Sequence, residues 1–152
     1  MDESLRELYQ DVILDHSRHP RHFGALEGAT HIGEGFNPLC GDRVKIYLVL
    51  DQTNRISDIK FEGKGCAISQ ASASLMTDML VGRTIEEAEK LMGGFVHMVK
   101  GETDIGELNA DDRERLEVMA GVSAFPMRVK CATLAWHTMK SALEGGQPAK
   151  SE

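Results

Sequence analysis

The chain is 152 residues long, 41% hydrophobic and 27% charged, enough to bury a core without disulfide or metal staples, and a single domain over 1–152 is expected. Its 17 Lys and Arg against 24 Asp and Glu give a formal charge of -7, so a general nucleic-acid binder, which needs a cationic face, is not expected. Three cysteines cannot all pair internally, the Met1-Asp2-Glu3-Ser4 start lacks the basic-then-apolar pattern of a secretory signal, and no run nears the roughly 20 apolar residues of a membrane span; a reduced, soluble, cytoplasmic protein with no membrane partner is expected.

Ser4-Leu5-Arg6-Glu7 has the pattern of a capping box, and apolar residues recur at Leu5, Leu8/Tyr9 and Val12/Ile13, which predicts an amphipathic helix ending before Pro20. His16, His19 and His22 follow at three-residue spacing, but Pro20 interrupts any common face, so they read as surface cations at a helix end. From Gly24 to Gly41 glycines accompany Pro38, and only Thr30-His31-Ile32 reads as a strand; the rest is expected to be loop.

Val44, Ile46, Leu48 and Leu50 alternate with Lys45, Tyr47 and Val49, and after Asp51-Gln52-Thr53-Asn54 a second alternating run carries Ile59 and Phe61. An antiparallel hairpin places the start of one strand beside the end of the other. Cys40 and Cys66 are therefore expected at the same end.

Residues 66–81 predict a helix rich in small residues, with Ile68, Leu75 and Met79 on one face, Cys66 in its first turn and Gly82 as its stop. Thr84-Ile85-Glu86-Glu87 is a capping box before a helix that turns Ala88, Leu91, Phe95 and Val99 inward and ends at Gly101. A short helix is expected from Asp111 to Ala120. Pro126 opens a last one running to about Glu144, with Val129, Ala132/Thr133, Trp136, Met139/Lys140 and Leu143 as its stripe and Cys131 away from that stripe. The stretch from Gly145 to Glu152 is small and polar and is expected to fray.

The spacing of Cys40, Cys66 and Cys131 matches no short zinc-finger or redox pattern, and three buried free thiols are the plain alternative. Topology favours convergence: one thiol enters the hairpin, one leaves it at a helix start, and one sits near the start of the last helix. Asp42, two residues from Cys40 at a strand entrance, shares its side, so three sulfurs and one oxygen can meet in a Cys3Asp site suited to zinc or iron. Such a set leaves a divalent metal formally anionic, and Lys64, Arg128 and Lys130 flank the two helical cysteines as candidate electrostatic support.

Leu39-Cys40-Gly41-Asp42, Gly63-Lys64-Gly65-Cys66-Ala67-Ile68-Ser69 and Arg128-Val129-Lys130-Cys131-Ala132-Thr133-Leu134 resemble the three ligand motifs of the SufU family, which belongs with the IscU and NifU-type iron-sulfur assembly proteins. Leu8-Tyr9, Ile13, Asp15-His16 and Pro20 resemble that family's opening helix, so the likeness spans nearly the whole chain. Lys130 stands where IscU proteins carry His, and residues near Gly101 to Gly121 are extra relative to them; both features fit SufU. The resemblance implies a SufE/IscU-like α+β fold, a small antiparallel sheet packed on one face by helices. It also implies zinc on Cys40, Asp42, Cys66 and Cys131, a PLP-dependent SufS-type cysteine desulfurase as partner, and a downstream Suf scaffold or apo iron-sulfur protein as receiver.

A zinc with four protein ligands is closed, so turnover requires one ligand to leave. Cys40 is the candidate sulfur acceptor because it follows the Gly33, Gly35, Pro38 loop, whereas Cys66 and Cys131 are on helices. Its thiolate can attack the outer sulfur of a desulfurase persulfide, and the resemblance suggests that a desulfurase histidine takes its place on the metal. The alternative is a scaffold that assembles a transient 2Fe-2S cluster on the same Cys3Asp set for transfer to apo-proteins; a purely structural zinc protein is a third reading. No nucleophile elbow, phosphate-cradling loop or His-Glu-x-x-His is present, and the resemblance implies a sulfurtransferase-like partner of the desulfurase rather than a stand-alone enzyme.

Overall fold

In a computed structural model, described for residues 3–145 and 149–150 and for side chains over 7–145, the elements run α1 (Glu3–Arg18), β1 (His31–Asn37), β2 (Asp42–Leu50), β3 (Ile56–Lys64), α2 (Ala67–Leu80), α3 (Ile85–Val99), α4 (Ala110–Glu117), a 3-10 turn (Ala120–Ala124), α5 (Pro126–Leu143) and β4 (Ala149–Lys150). The alternation in β2 and β3 sets their antiparallel register, with Ile46 opposite Phe61 and Leu48 opposite Ile59. Those four side chains are buried together with Ile56 under α2 and α5, while Lys45, Tyr47 and Glu62 clothe the other face. The α+β class and the helices on one sheet face agree with the sequence.

β1 corrects the expectation of a loop. It runs the full seven residues to Asn37, antiparallel to β2, with Gly33 opposite Ile46 and Gly35 opposite Val44. Its glycines mark close packing instead of irregular chain: a β-carbon at Gly33 would lie 2.7 Å from the Thr138 carbonyl oxygen of α5, and one at Gly35 would strike Thr138 Oγ1. Ala149–Lys150 pairs in parallel with Gly35 and Phe36, giving the order β3-β2-β1-β4. The frayed tail is therefore wrong at these two residues, because β1 offers them an unpaired edge; the rest of that stretch beyond Gly145 lies outside the described residues.

α5 is not the one-sided helix its stripe suggested. It lies between the sheet and the pair α2 and α3, so side chains are buried all around it, from Val129 through Trp136 to Ala142, Cys131 among them. Trp136 stacks on Phe95 of α3 at 4.1 Å between ring centroids. Ser72 of α2 donates to the Ala132 carbonyl at 2.5 Å and accepts from Trp136 Nε1 at 2.9 Å, which fastens α2 to α5. The small residues Ala71, Ser72, Ala73 and Ser74 make this approach possible, and all four are buried.

α1 begins at Glu3, so Ser4 lies within the helix, and the side chains of the expected capping box at 4–6 fall outside those described. His16 is a second correction: it is 8% exposed and its Nδ1 shares a 2.7 Å hydrogen bond with Ser74 Oγ, because the small-residue face of α2 admits α1. The capping box Thr84/Glu87 forms at α3 as read. α4 is capped by Asn109 and stops at Glu117; the expected continuation to Ala120 tightens into the 3-10 turn.

Candidate metal centre

The sheet end that carries the β1–β2 turn meets the first turns of α2 and α5. Cys40 sits exposed in the turn, before Gly41 at φ 75, and Asp42 is the first residue of β2, 2% exposed. Cys131, 1% exposed in α5, places its Sγ 3.7 Å from Cys40 Sγ. One donor atom each from Cys40, Asp42 and Cys131 lies within 4.8 Å of the others.

Cys66 is the N-cap of α2, not a first-turn residue, and its Sγ accepts the Ser69 N–H at 3.5 Å. Its own backbone N–H donates to Asp42 Oδ1 at 3.1 Å. Gly65 permits that approach, since a β-carbon there would stand 2.7 Å from the same oxygen. Three of the four expected ligands are thus gathered, and the fourth is bound to the carboxylate by its backbone, with its thiol outside the 4.8 Å group.

The residues fit a thiophilic metal. The cysteines are free thiols, and the two sulfurs at 3.7 Å are too far apart for a disulfide. Two ligands about 2.3 Å from one zinc in tetrahedral geometry stand about 3.8 Å apart, close to the sulfur spacing seen here. Asp42 Oδ2 is buried with no hydrogen-bond partner among the described residues, a costly state for a carboxylate unless a cation satisfies it.

The local field points the same way. Burial pushes the Cys131 thiol well above the usual cysteine range, and the Asp42 carboxylate, Cys66 and Cys40 add to the rise. The Cys131 thiol therefore resists ionisation without a cation. Of the three basic residues expected to help, exposed Arg128 does so: its guanidinium is held protonated more firmly by Cys131 and then by Cys66. Lys64 is exposed and Lys130 half-buried, and no described contact ties either to a thiol.

Two neighbours were not read from sequence as part of the site. Tyr9 of α1 is buried beside the site, its phenol pKa raised by burial and then by the charge of Cys66. Asn37, 1% exposed, donates from Nδ2 to Cys131 Sγ at 3.9 Å and accepts the Leu39 N–H on Oδ1 at 3.1 Å. The Asn37-Pro38 pair, a turn-initiating dipeptide, was the available signal for the latter. Leu39, Phe125 and Met127 lie near the site in sequence, each more than half exposed.

Residues 8–132 match the family described as "NifU-like N terminal domain". The chain is 41% identical over 140 residues to the "Iron-sulfur cluster assembly scaffold protein IscU" of Streptococcus pyogenes serotype M1, covering 92% of this chain and 85% of that one. It is 40% identical over 146 residues to the "Zinc-dependent sulfurtransferase SufU" of Bacillus subtilis (strain 168), covering 94% and 96%. A crystal structure of a candidate SUF-system cluster assembly scaffold, FiSufU from Fervidobacterium islandicum AW-1, superposes with TM-score 0.80 at 37% identity, over 91% of this chain and 98% of that one. A fold, a thiol-rich site and relatives that agree in this way place the chain in the NifU-like N terminal domain family of iron-sulfur cluster assembly proteins, alongside IscU and SufU.

Proposed function

We propose that the chain is a zinc-dependent sulfur acceptor that takes persulfide sulfur from a SufS-type cysteine desulfurase onto Cys40 and passes it to a downstream scaffold or apo-protein. Cys40, Asp42, Cys66 and Cys131 would hold the zinc, which keeps bound sulfurs as thiolates at neutral pH. The observation that carries the reading is the asymmetry of the set: Cys40 is exposed on a turn, whereas Asp42 and Cys131 are 2% and 1% exposed. The Cys40 thiolate attacks the outer sulfur of the donor persulfide. A new S–S bond forms on Cys40, the donor's S–S bond breaks, and the donor cysteine leaves as thiolate, so the exchange is electron-neutral. The exposed Leu39, Phe125 and Met127 supply apolar surface for the docked donor.

The test is anaerobic incubation with a SufS-type desulfurase and cysteine, followed by mass spectrometry of the intact chain and its peptides. One added sulfur on the Cys40 peptide, lost in a folded Cys40→Ala variant along with acceleration of the desulfurase, is expected. An alanine variant that still accelerates the desulfurase fully contradicts the relay.

The second reading, a scaffold for a transient 2Fe-2S cluster as cargo, is favoured by the name of the Streptococcus pyogenes relative, as similar as the SufU one. The same donors serve it, and the single hard oxygen among sulfurs suits a cluster that must leave. Assembly from iron and sulfide on the zinc-free chain, with transfer to an apo-ferredoxin at a rate matching desulfurase turnover, would select it.

A further inference from the structure

We propose that Asn37 is the positioning residue of this site: one buried side-chain amide fastens the Cys40 turn on one side and the sulfur of Cys131 on the other, so that Cys40 is held to a measured exposure while Cys131 is kept from reacting. The proposal rests on the sulfur-acceptor reading and deepens it. Asn37 ends β1 and pairs with Asp42 across the turn. Its carbonyl accepts the N–H groups of Cys40 at 3.3 Å and Gly41 at 2.8 Å, and its Oδ1 accepts that of Leu39, closing the chain over Pro38 in an Asx-type turn. Nδ2 is left to donate to Cys131 Sγ. One residue, 1% exposed, thus carries hydrogen bonds to three successive turn residues and to a thiol 94 positions away.

Two effects follow. An N–H donor on a sulfur draws off charge and makes it a poorer nucleophile; Cys131 has that donor, while no amide donates to Cys40 among the described hydrogen bonds. The turn, tied at its root, swings about Asn37 without dragging Asp42, which β2 and the Cys66 N–H hold. The amide thus quiets Cys131 and restrains the Cys40 turn, in addition to the difference in exposure between the two thiols.

Two variants separate the halves of the proposal. Asn37→Asp keeps the oxygen that accepts from Leu39 and loses the donor to sulfur; Asn37→Ala loses both. The first measurement is the thiolate-to-metal charge-transfer band of the cobalt(II)-substituted protein, which is expected to shift to lower energy in both variants. The second is the rate of Cys40 alkylation by iodoacetamide in the metal-free chain, read peptide by peptide. It is expected to rise about fivefold in Asn37→Ala, the worth of one hydrogen bond, and not to rise in Asn37→Asp. A folded Asn37→Ala protein with unchanged band and unchanged Cys40 labelling overturns the proposal, as does a band shift confined to the alanine variant. If Asn37→Ala does not fold, the cobalt band of Asn37→Asp decides alone. A Cys40→Ala protein whose cobalt band and sulfur acceptance match wild type would instead overturn the sulfur-acceptor reading, a distinct result.

Discussion

Asp42 Oδ1 and the backbone N–H of Cys66 form a 3.1 Å hydrogen bond that joins the first residue of β2 to the cap of α2. One carboxylate oxygen is thereby spent on the fold, and its buried partner oxygen, Oδ2, has no hydrogen-bond partner among the described residues and is free to take a cation. An acid with one structural and one free oxygen is oriented before any ion arrives.

Removal of that carboxylate should therefore loosen the metal without deleting the sulfur acceptor. Asp42→Ala is expected to release zinc to a mild chelator at least about tenfold faster than wild type, in the range found when groups around a metal site are removed. Cys40 stays alkylatable. Zinc quantification across a chelator titration checks this, and wild-type retention would remove Asp42 from the ligand set.

Metal extraction is expected to leave the chain folded. The core around Ile46, Leu48, Met76, Phe95 and Trp136 closes without any candidate ligand, and Cys131 is the single candidate ligand sulfur deeply buried. The melting temperature should fall on chelation, because any ligand of the native state stabilises it by mass action, but the cooperative transition and far-UV circular dichroism should persist. Loss of the transition would favour the structural zinc reading.

Gly35→Ala tests the sheet-helix contact. The added methyl meets Thr138 Oγ1, and an overpacked core site costs about 1–3 kcal/mol. Thr138→Ala in the same chain removes the obstructing oxygen and should recover part of the loss, measured by urea denaturation. No recovery would place the cost elsewhere in the β1–α5 contact.

His16 gives a pH signature remote from the thiols. Burial, and then the Arg21 charge, lower its pKa below the usual histidine value. In this case the unfolded chain takes up the proton first as pH falls. Its contribution is complete above about pH 6.5 and is lost as pH drops from there through the folded value. Wild type should lose stability over this window faster than His16→Asn, and parallel stability profiles from pH 7.5 to 5 would contradict the burial.

The hairpin, the helices and the meeting of Cys40, Asp42 and Cys131 were legible because period-two alternation, capping boxes and antiparallel geometry are local or nearly so. What escaped depended on partners distant in sequence. Gly33 and Gly35 read as loop because the helix they accommodate lies about a hundred residues on. His16 read as a surface cation because Ser74 was needed to show its burial. Cys131 fell off the α5 stripe because a helix enclosed on all sides has no stripe to report. Arg128 feels the thiols, a role that sequence adjacency does not distinguish from that of Lys64 or Lys130.

The Ser72 clasp between α2 and α5 bears on how such a centre can be retuned. Cys66 and Cys131 sit on two helices locked together through the hydrophobic interior, so they behave as a fixed jaw whose opening the core dictates. On the sulfur-acceptor reading, the short link between β1 and β2 is the movable jaw. Substitutions at Pro38 or Leu39 can then adjust how readily the clamp opens while the molecule's stability is left nearly untouched, a separation that frees reactivity to drift independently of folding.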